Sequence, residues 1–403
     1  MRITGTILTR IVLMCSTLSV VLLNTHYLGT EGQGTASLIT LGIMLVLALS
    51  QFIGGGAMVY LVPRMAPGKT LLPAAIWAGA SAVIWVIVFQ FIPVVPQEYI
   101  VHACAIGLIQ SLYMILQQIT LAGERIRLFN GIMAVQAVIV AVCLGAFFFL
   151  MEWRHIHAFI TALYASSLFA LLGYTIANRT SVRAALSAWD ITAWKELFRL
   201  GKFAQGGNIL HLLNQRLNVV FLEHLWHTGR SAVGVMSIAL YFAEAIWTVS
   251  KSLSVIQYAR IANMAGDSDQ RRLTGHYMKV SLAAVAAGSL ALWLVPESWL
   301  LVLFTDRADE LKPALLWLIP GILANGASII YAHYFSGRGL HRENMIASGL
   351  GLLLSAGAAI ILIPSLGIRG ASISTSLAFV TQCAWFAVRY RSKAGVKTAS
   401  PGH

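Results

Sequence analysis

The chain is poor in charge. Only 11% of its 403 residues are Asp, Glu, Lys or Arg, against roughly 25% in an ordinary soluble domain. So few charges cannot cover the surface of a protein of this size in water. Acids are the scarcest, 15 against 28 Lys and Arg, which leaves a net charge of +13. Cysteine is scarce as well. Cys15, Cys104, Cys143 and Cys383 each lie inside an apolar run, so no disulfide framework is expected. The sequence has no Gly-rich phosphate loop with a following Lys-Ser/Thr pair, no His-Glu-x-x-His and no Gly-x-Ser-x-Gly. No enzyme, no cofactor and no ATP-driven pump is therefore expected, and transport would run on an ion gradient, the membrane potential or a substrate gradient. Disorder is excluded by the opposite property, a hydrophobic content of 58% gathered in long runs.

A helix needs about 20 apolar residues to cross a bilayer. Twelve segments qualify: 6–27, 36–61, 71–93, 99–121, 130–150, 157–177, 201–223, 232–256, 278–303, 311–333, 345–363 and 370–388. The ninth has room to end early, with 298–304 at the interface. These runs are too long and too evenly apolar for β-barrel strands. Arg2 and Arg10 ahead of the run Ile11–Leu23 imitate a signal peptide, but no small-x-small cleavage site follows, and an uncleaved first span is expected. With the N-terminus in the cytoplasm, 21 Lys and Arg fall inside and five outside, while Arg216 and Lys251 lie within spans. This asymmetry follows the positive-inside rule and puts both termini in the cytoplasm. With the acids included, the balance is +15 inside, −3 outside and +1 within the spans. The basic excess is thus a topology signal, and no nucleic-acid partner is expected.

The longest loop, 179–200, separates a six-span lobe, 1–178, from a second lobe, 201–403, that ends in a short cytoplasmic tail. Trp189, Asp190, Trp194, Lys195 and Glu196 suit it to lie along the inner membrane surface. A weak repeat supports the division. Gly32-Gln33-Gly34-Thr35-Ala36-Ser37-Leu38 leads into span two, and Val233-Gly234-Val235-Met236-Ser237-Ile238 leads into span eight, about 200 residues later.

Polar groups inside a bilayer are costly and face a cavity or one another. Span seven carries Gln205, Asn208, His211, Asn214, Gln215, Arg216 and Asn218 on one broad arc, with Leu210, Leu213 and Leu217 opposite. Interhelical hydrogen bonding and a polar cavity would both use these residues. Span eight carries Glu244 and, seven residues on, Lys251. Arg216 and Glu244 are within reach of each other, either as a static ion pair or as a switch in which Arg216 receives an anionic group and Glu244 a proton or cation. Span one adds Arg10, Ser16 and Asn24. His155 and His157 in an outer loop are too few to make a metal site, and none is expected.

Several segments together resemble a known family. His26-Tyr27-Leu28-Gly29-Thr30-Glu31-Gly32-Gln33-Gly34 is similar to the Leu-Gly-Pro-Glu-Gly-x-Gly segment of bacterial polysaccharide transporters, with Thr30 in place of Pro. Tyr60-Leu61-Val62-Pro63-Arg64, Asn214-Gln215-Arg216-Leu217-Asn218 and Ile363-Pro364-Ser365-Leu366-Gly367-Ile368-Arg369-Gly370-Ala371 fit the same family in order and spacing; Asn218 stands where an Asp is often found. The family is the O-antigen and exopolysaccharide flippases of the multidrug/oligosaccharidyl-lipid/polysaccharide exporter superfamily. The resemblance implies an all-α membrane protein whose two pseudo-symmetric six-helix lobes surround a central cavity. It also implies alternating access, carrying an undecaprenyl-pyrophosphate-linked oligosaccharide across the bacterial cytoplasmic membrane. The cationic and polar candidates for that substrate are Arg216, Asn208, His211, Gln215, Asn218, Arg10 and Lys251, with Glu244 as the ion-coupling candidate. Membrane lipids and other polysaccharide-assembly proteins are the expected partners, and the chain reads as a monomer. A cation-coupled multidrug antiporter of the same superfamily and a membrane enzyme or scaffold of polysaccharide assembly are the competing readings.

Overall fold

The computed structural model describes residues 2–55, 58, 61–62, 65, 67–185, 191–264, 266–304 and 307–392. Tyr60, Pro63 and Arg64 at the end of span two, Trp189 and Asp190 in the linker, and the tail residues Lys393 and Lys397 lie outside them. Every regular element among the described residues is helical. In hydrocarbon each backbone N–H must find its partner within its own segment, and the long apolar runs leave the helix as the solution.

The helices are α1 (Arg2–Gly54), α2 (Pro67–Phe91), α3 (Ile100–Ala122), α4 (Ile126–Phe149), α5 (Ile156–Ala177), α6 (Arg179–Ala185), α7 (Ile191–Leu225), α8 (Gly229–Ala262), α9 (Asp267–Leu294), α10 (Glu297–Leu303), α11 (Ala308–Gly337), α12 (His341–Leu366) and α13 (Ile368–Ser392). Among the described residues, ten helical segments are long and apolar enough to span a membrane. The first of them holds two expected spans, because α1 turns back at Gly29, where φ is 69° and ψ is −178°. Only glycine takes that backbone without strain. The seventh expected span lies in α7, which is not among the ten; its seven polar residues lower its hydropathy. Span nine, expected over 278–303, is instead Asp267–Leu294, and the chain breaks at Val295-Pro296 before the short α10. Proline has no N–H to continue the ladder. The linker is helical in α6, and α7 begins at Ile191, ten residues ahead of the expected span.

The chain forms two compact units. The first comprises Met1–Ile209, Val219–Tyr241 and Pro296–Lys312; the second comprises Leu210–Asn218, Phe242–Val295 and Pro313–His403. In the first unit a core of Ile53, Leu116, Ala170, Tyr174 and Leu197 draws on α1, α3, α5 and α7. A second core around Phe148, Phe159 and Ala36 joins α4 and α5 to α1. The two glycine segments of the internal repeat touch here. A Cβ on Gly34 would lie 1.9 Å from the Arg230 carbonyl oxygen, and one on Gly234 would lie 1.9 Å from that of Thr30. The Thr30 and Ser231 hydroxyls bond at 2.7 Å beside them.

In the second unit Tyr334, Phe335, Ala347 and Phe386 form a core at the ends of α11, α12 and α13. Charges bind the same ends together. Asp267 accepts from Arg271 at 2.9 Å and also pairs with Arg338. Glu343 takes Arg389 in a two-pronged bond, at 3.0 and 2.9 Å.

Candidate functional site

Helix α7 carries two polar stripes with different surroundings. Asn214 and Asn218, one turn apart, are each 1% exposed. Asn214 Nδ2 donates to the Ser348 carbonyl at 2.8 Å. Asn218 Nδ2 donates to Thr375 Oγ1 at 2.7 Å and to Ser355 Oγ at 3.1 Å. The amides expected to line a cavity thus tie α7 to α12 and α13. Asn208, His211 and Gln215 form the other stripe, at i, i+3 and i+7. Asn208 is exposed and bonds to Gln205 at 3.1 Å; His211 and Gln215 are half-buried, 3.2 Å apart between ring Nε2 and amide Nε2.

Arg216 is buried, and its Nη2 donates to Glu244 Oε1 at 2.5 Å, joining α7 to α8. The arginine side chain is 6% exposed and the carboxylate side chain 27%. The pair cancels two charges that the membrane interior would penalise heavily if left single.

Lys251 stands half-buried on α8, two turns beyond Glu244 and about 10 Å further along the axis. Among the described residues it makes no ion pair. His333, on α11, is half-buried, with its ring Nδ1 2.9 Å from the Ile329 carbonyl. Between Glu244 and Lys251 the buried Trp247 donates to the Ile322 carbonyl at 2.9 Å and packs edge-on against Phe379, which also lies beside His211. His333, Trp247 and Phe379 give no sequence signal of their own, being a histidine and two aromatics in apolar helices. Arg10 is half-buried on α1, in the first unit.

The first unit holds a cavity of about 190 Å³ between the two legs of α1 and helices α4, α5 and α8. Ser16, Thr17 and Asn24 line it from one leg, and Gln33 and Thr40 from the other. Its remaining lining is apolar or aromatic, and it contains no Asp, Glu, Lys or Arg. His155 and His157 pack into a ring cluster with Trp153, Tyr99 and His102. Among the described residues, no three His, Cys, Asp or Glu side chains are placed to hold a metal ion.

No family model matches the chain. A segment of 194 residues is 24% identical to the probable multidrug resistance protein NorM of Thermotoga maritima, covering 45% of this chain and 41% of that protein. The chain thus aligns with less than half the length of that curated relative. Among solved structures, it is similar to a multidrug resistance MATE family transporter of the MOP superfamily in its inward-facing conformation. The TM-score is 0.74 at 13% identity, over 98% of this chain and 100% of that one. It is also similar to the lipid II flippase MurJ, inward closed, with a TM-score of 0.68 at 13% identity, over 96% of this chain and 87% of that one. At these identities the likeness gives the fold, an all-α, two-lobed membrane architecture shared by transporters of different cargoes.

Proposed function

We propose that the chain is a flippase that carries an undecaprenyl-pyrophosphate-linked oligosaccharide, a repeat unit of O-antigen or exopolysaccharide, across the bacterial cytoplasmic membrane. It works by alternating access, with both termini in the cytoplasm. The observation that carries this reading is Arg216, a guanidinium buried within the span and paired to a carboxylate that is itself partly open. A diphosphate competes for the guanidinium by the same two-pronged bonding that a carboxylate uses. When it does, Glu244 is released and takes up a proton. Binding of the anion and protonation of Glu244 are thereby coupled, and each favours the other. Lys251 supplies a second positive charge, and the open stripe of Asn208, His211 and Gln215 supplies neutral donors and acceptors.

The competing reading, a multidrug antiporter, is supported by the partial likeness to NorM. It fits the site less well. A cationic drug needs an unpaired carboxylate, but Glu244 is held by Arg216, and the cavity of the first unit has no charge at all.

The test is deletion of the gene with complementation, scoring surface polysaccharide and lipid-linked intermediate. Deletion is expected to deplete the first and accumulate the second, and Arg216→Ala should fail to restore either. Normal surface polysaccharide in the deletion strain overturns the reading. A gain in drug susceptibility on deletion, with polysaccharide intact, points to the antiporter.

A further inference from the structure

The cavity between the legs of α1 has two acceptors stranded in its wall. Asn24 is 1% exposed and Gln33 2%. Gln33 commits its Nε2 to Ser37 Oγ at 3.2 Å, and neither Asn24 Oδ1 nor Gln33 Oε1 accepts a hydrogen bond among the described residues. Buried acceptors left unpaired are costly, so a ligand that brings donors gains more here than at an exposed site. Asn24 precedes the Gly29 turn by five residues and Gln33 follows it by four, so the antiparallel legs hold the two amides at nearly one depth. Ser16 and Thr40, about two turns further from the turn on each leg, mark the other end of the cavity with hydroxyls. Between them the wall is apolar and includes the rings of Phe159 and Tyr241.

This lining restricts the ligand. It must donate hydrogen bonds, because the unsatisfied atoms are carbonyl oxygens. It must be uncharged, because no group in the wall compensates a charge and burying one alone is heavily penalised. It must offer an apolar face as well as hydroxyls. The volume, about 190 Å³, equals about six waters at roughly 30 Å³ each, which suits one pyranose ring. A phosphate meets no cation here, and a cation meets no carboxylate.

We propose that this cavity is a sugar subsite, in which one hexose or N-acetylhexosamine unit donates hydroxyls to Asn24 Oδ1 and Gln33 Oε1. The proposal rests on reading the cargo as a diphosphate glycolipid.

The test uses the full chain in nanodiscs, titrated with a short polyprenyl diphosphate and with the same lipid carrying one glucose, galactose or N-acetylglucosamine. At least one sugar-bearing lipid should bind about tenfold tighter than the bare diphosphate, the yield of two hydrogen bonds. Asn24→Leu and Gln33→Leu should remove that advantage and leave bare-lipid affinity unchanged, which also reports that the variants fold. If either disturbs folding, Thr40→Val at the far end should still reduce the advantage. No advantage for any sugar, or a full advantage in both Leu variants, overturns the subsite. A sodium-dependent thermal shift that Asn24→Leu abolishes, with no sugar preference, gives the cavity to a cation and overturns it too. Arg216→Gln separates the two readings: it should weaken bare and sugar-bearing lipids alike. If it weakens neither, the diphosphate site falls, while the Asn24 and Gln33 variants still decide the sugar subsite.

Discussion

The Arg216–Glu244 pair sets the energetics of the site one residue at a time. Removing one partner of a buried pair costs about 3–5 kcal/mol, because the other charge stays behind. Glu244 is 27% exposed and can recruit water, so Arg216→Ala is expected to cost roughly half of that. The double variant Arg216→Ala with Glu244→Gln carries no stranded charge. It should unfold thermally closer to wild type than Arg216→Ala does, yet transport no better. If the double variant recovers transport, the pair is a structural plug and Arg216 does not receive the cargo. Thr30 shows how a departure from a pattern that the sequence otherwise resembles acquires meaning. A proline there would have no hydroxyl, and the threonine uses its own to reach Ser231 at 2.7 Å. Thr30→Pro should therefore leave the Ser231 hydroxyl without that partner and lower the melting temperature. The sequence singled out Arg216 and Glu244 correctly as neighbours because two opposite charges in adjacent apolar helices have few other places to go. It could not separate Asn214 and Asn218 from Asn208 and Gln215. All four are amides on one arc, and only the neighbouring helices α12 and α13 decide which are bonded to another helix.

At the scale of elements, apolar run length gave the spans and their order, since a bilayer demands it. What it missed were the places where backbone conformation overrides composition. The turn between the first two spans narrows to Gly29, and span nine stops at Pro296 although apolar residues continue beyond it. Close approach makes a second demand. Gly34 and Gly234 lie against carbonyl oxygens where a Cβ would come to 1.9 Å, so Ala at either position must push two helices apart. Either substitution is expected to destabilise the fold by about 2 kcal/mol, in the range of overpacking a tight contact, and so to lower the melting temperature clearly. Gly79→Ala and Gly131→Ala, with nothing near the added carbon, should be neutral or slightly stabilising. Equal melting temperatures for all four would refute the close contact.

At the scale of the whole molecule, the distribution of Lys and Arg predicts an orientation. With the four native cysteines replaced, a cysteine at Arg154 should react with an impermeant maleimide added outside intact spheroplasts, and one at Arg183 only after lysis. The reverse pattern would invert the topology and with it the direction of transport. Alternating access makes a second prediction. Thr30 and Ser231 touch through their side chains, so cysteines placed at both should cross-link under oxidation. The cross-link should stop transport, and reductant should restore it. Undiminished transport in the oxidised protein would mean that the outer ends of spans two and eight never part. The contact beside this pair has a further property. Thr30 and Arg230 are 200 residues apart, as are Gly34 and Gly234, and each glycine meets the carbonyl of the residue four positions before the other glycine. Such reciprocity is the pattern of an isologous interface, one patch facing a copy of itself across a twofold axis. A sliding of one helix along the other would break both halves of the contact together, so the two spans can separate or rotate but cannot slip in register.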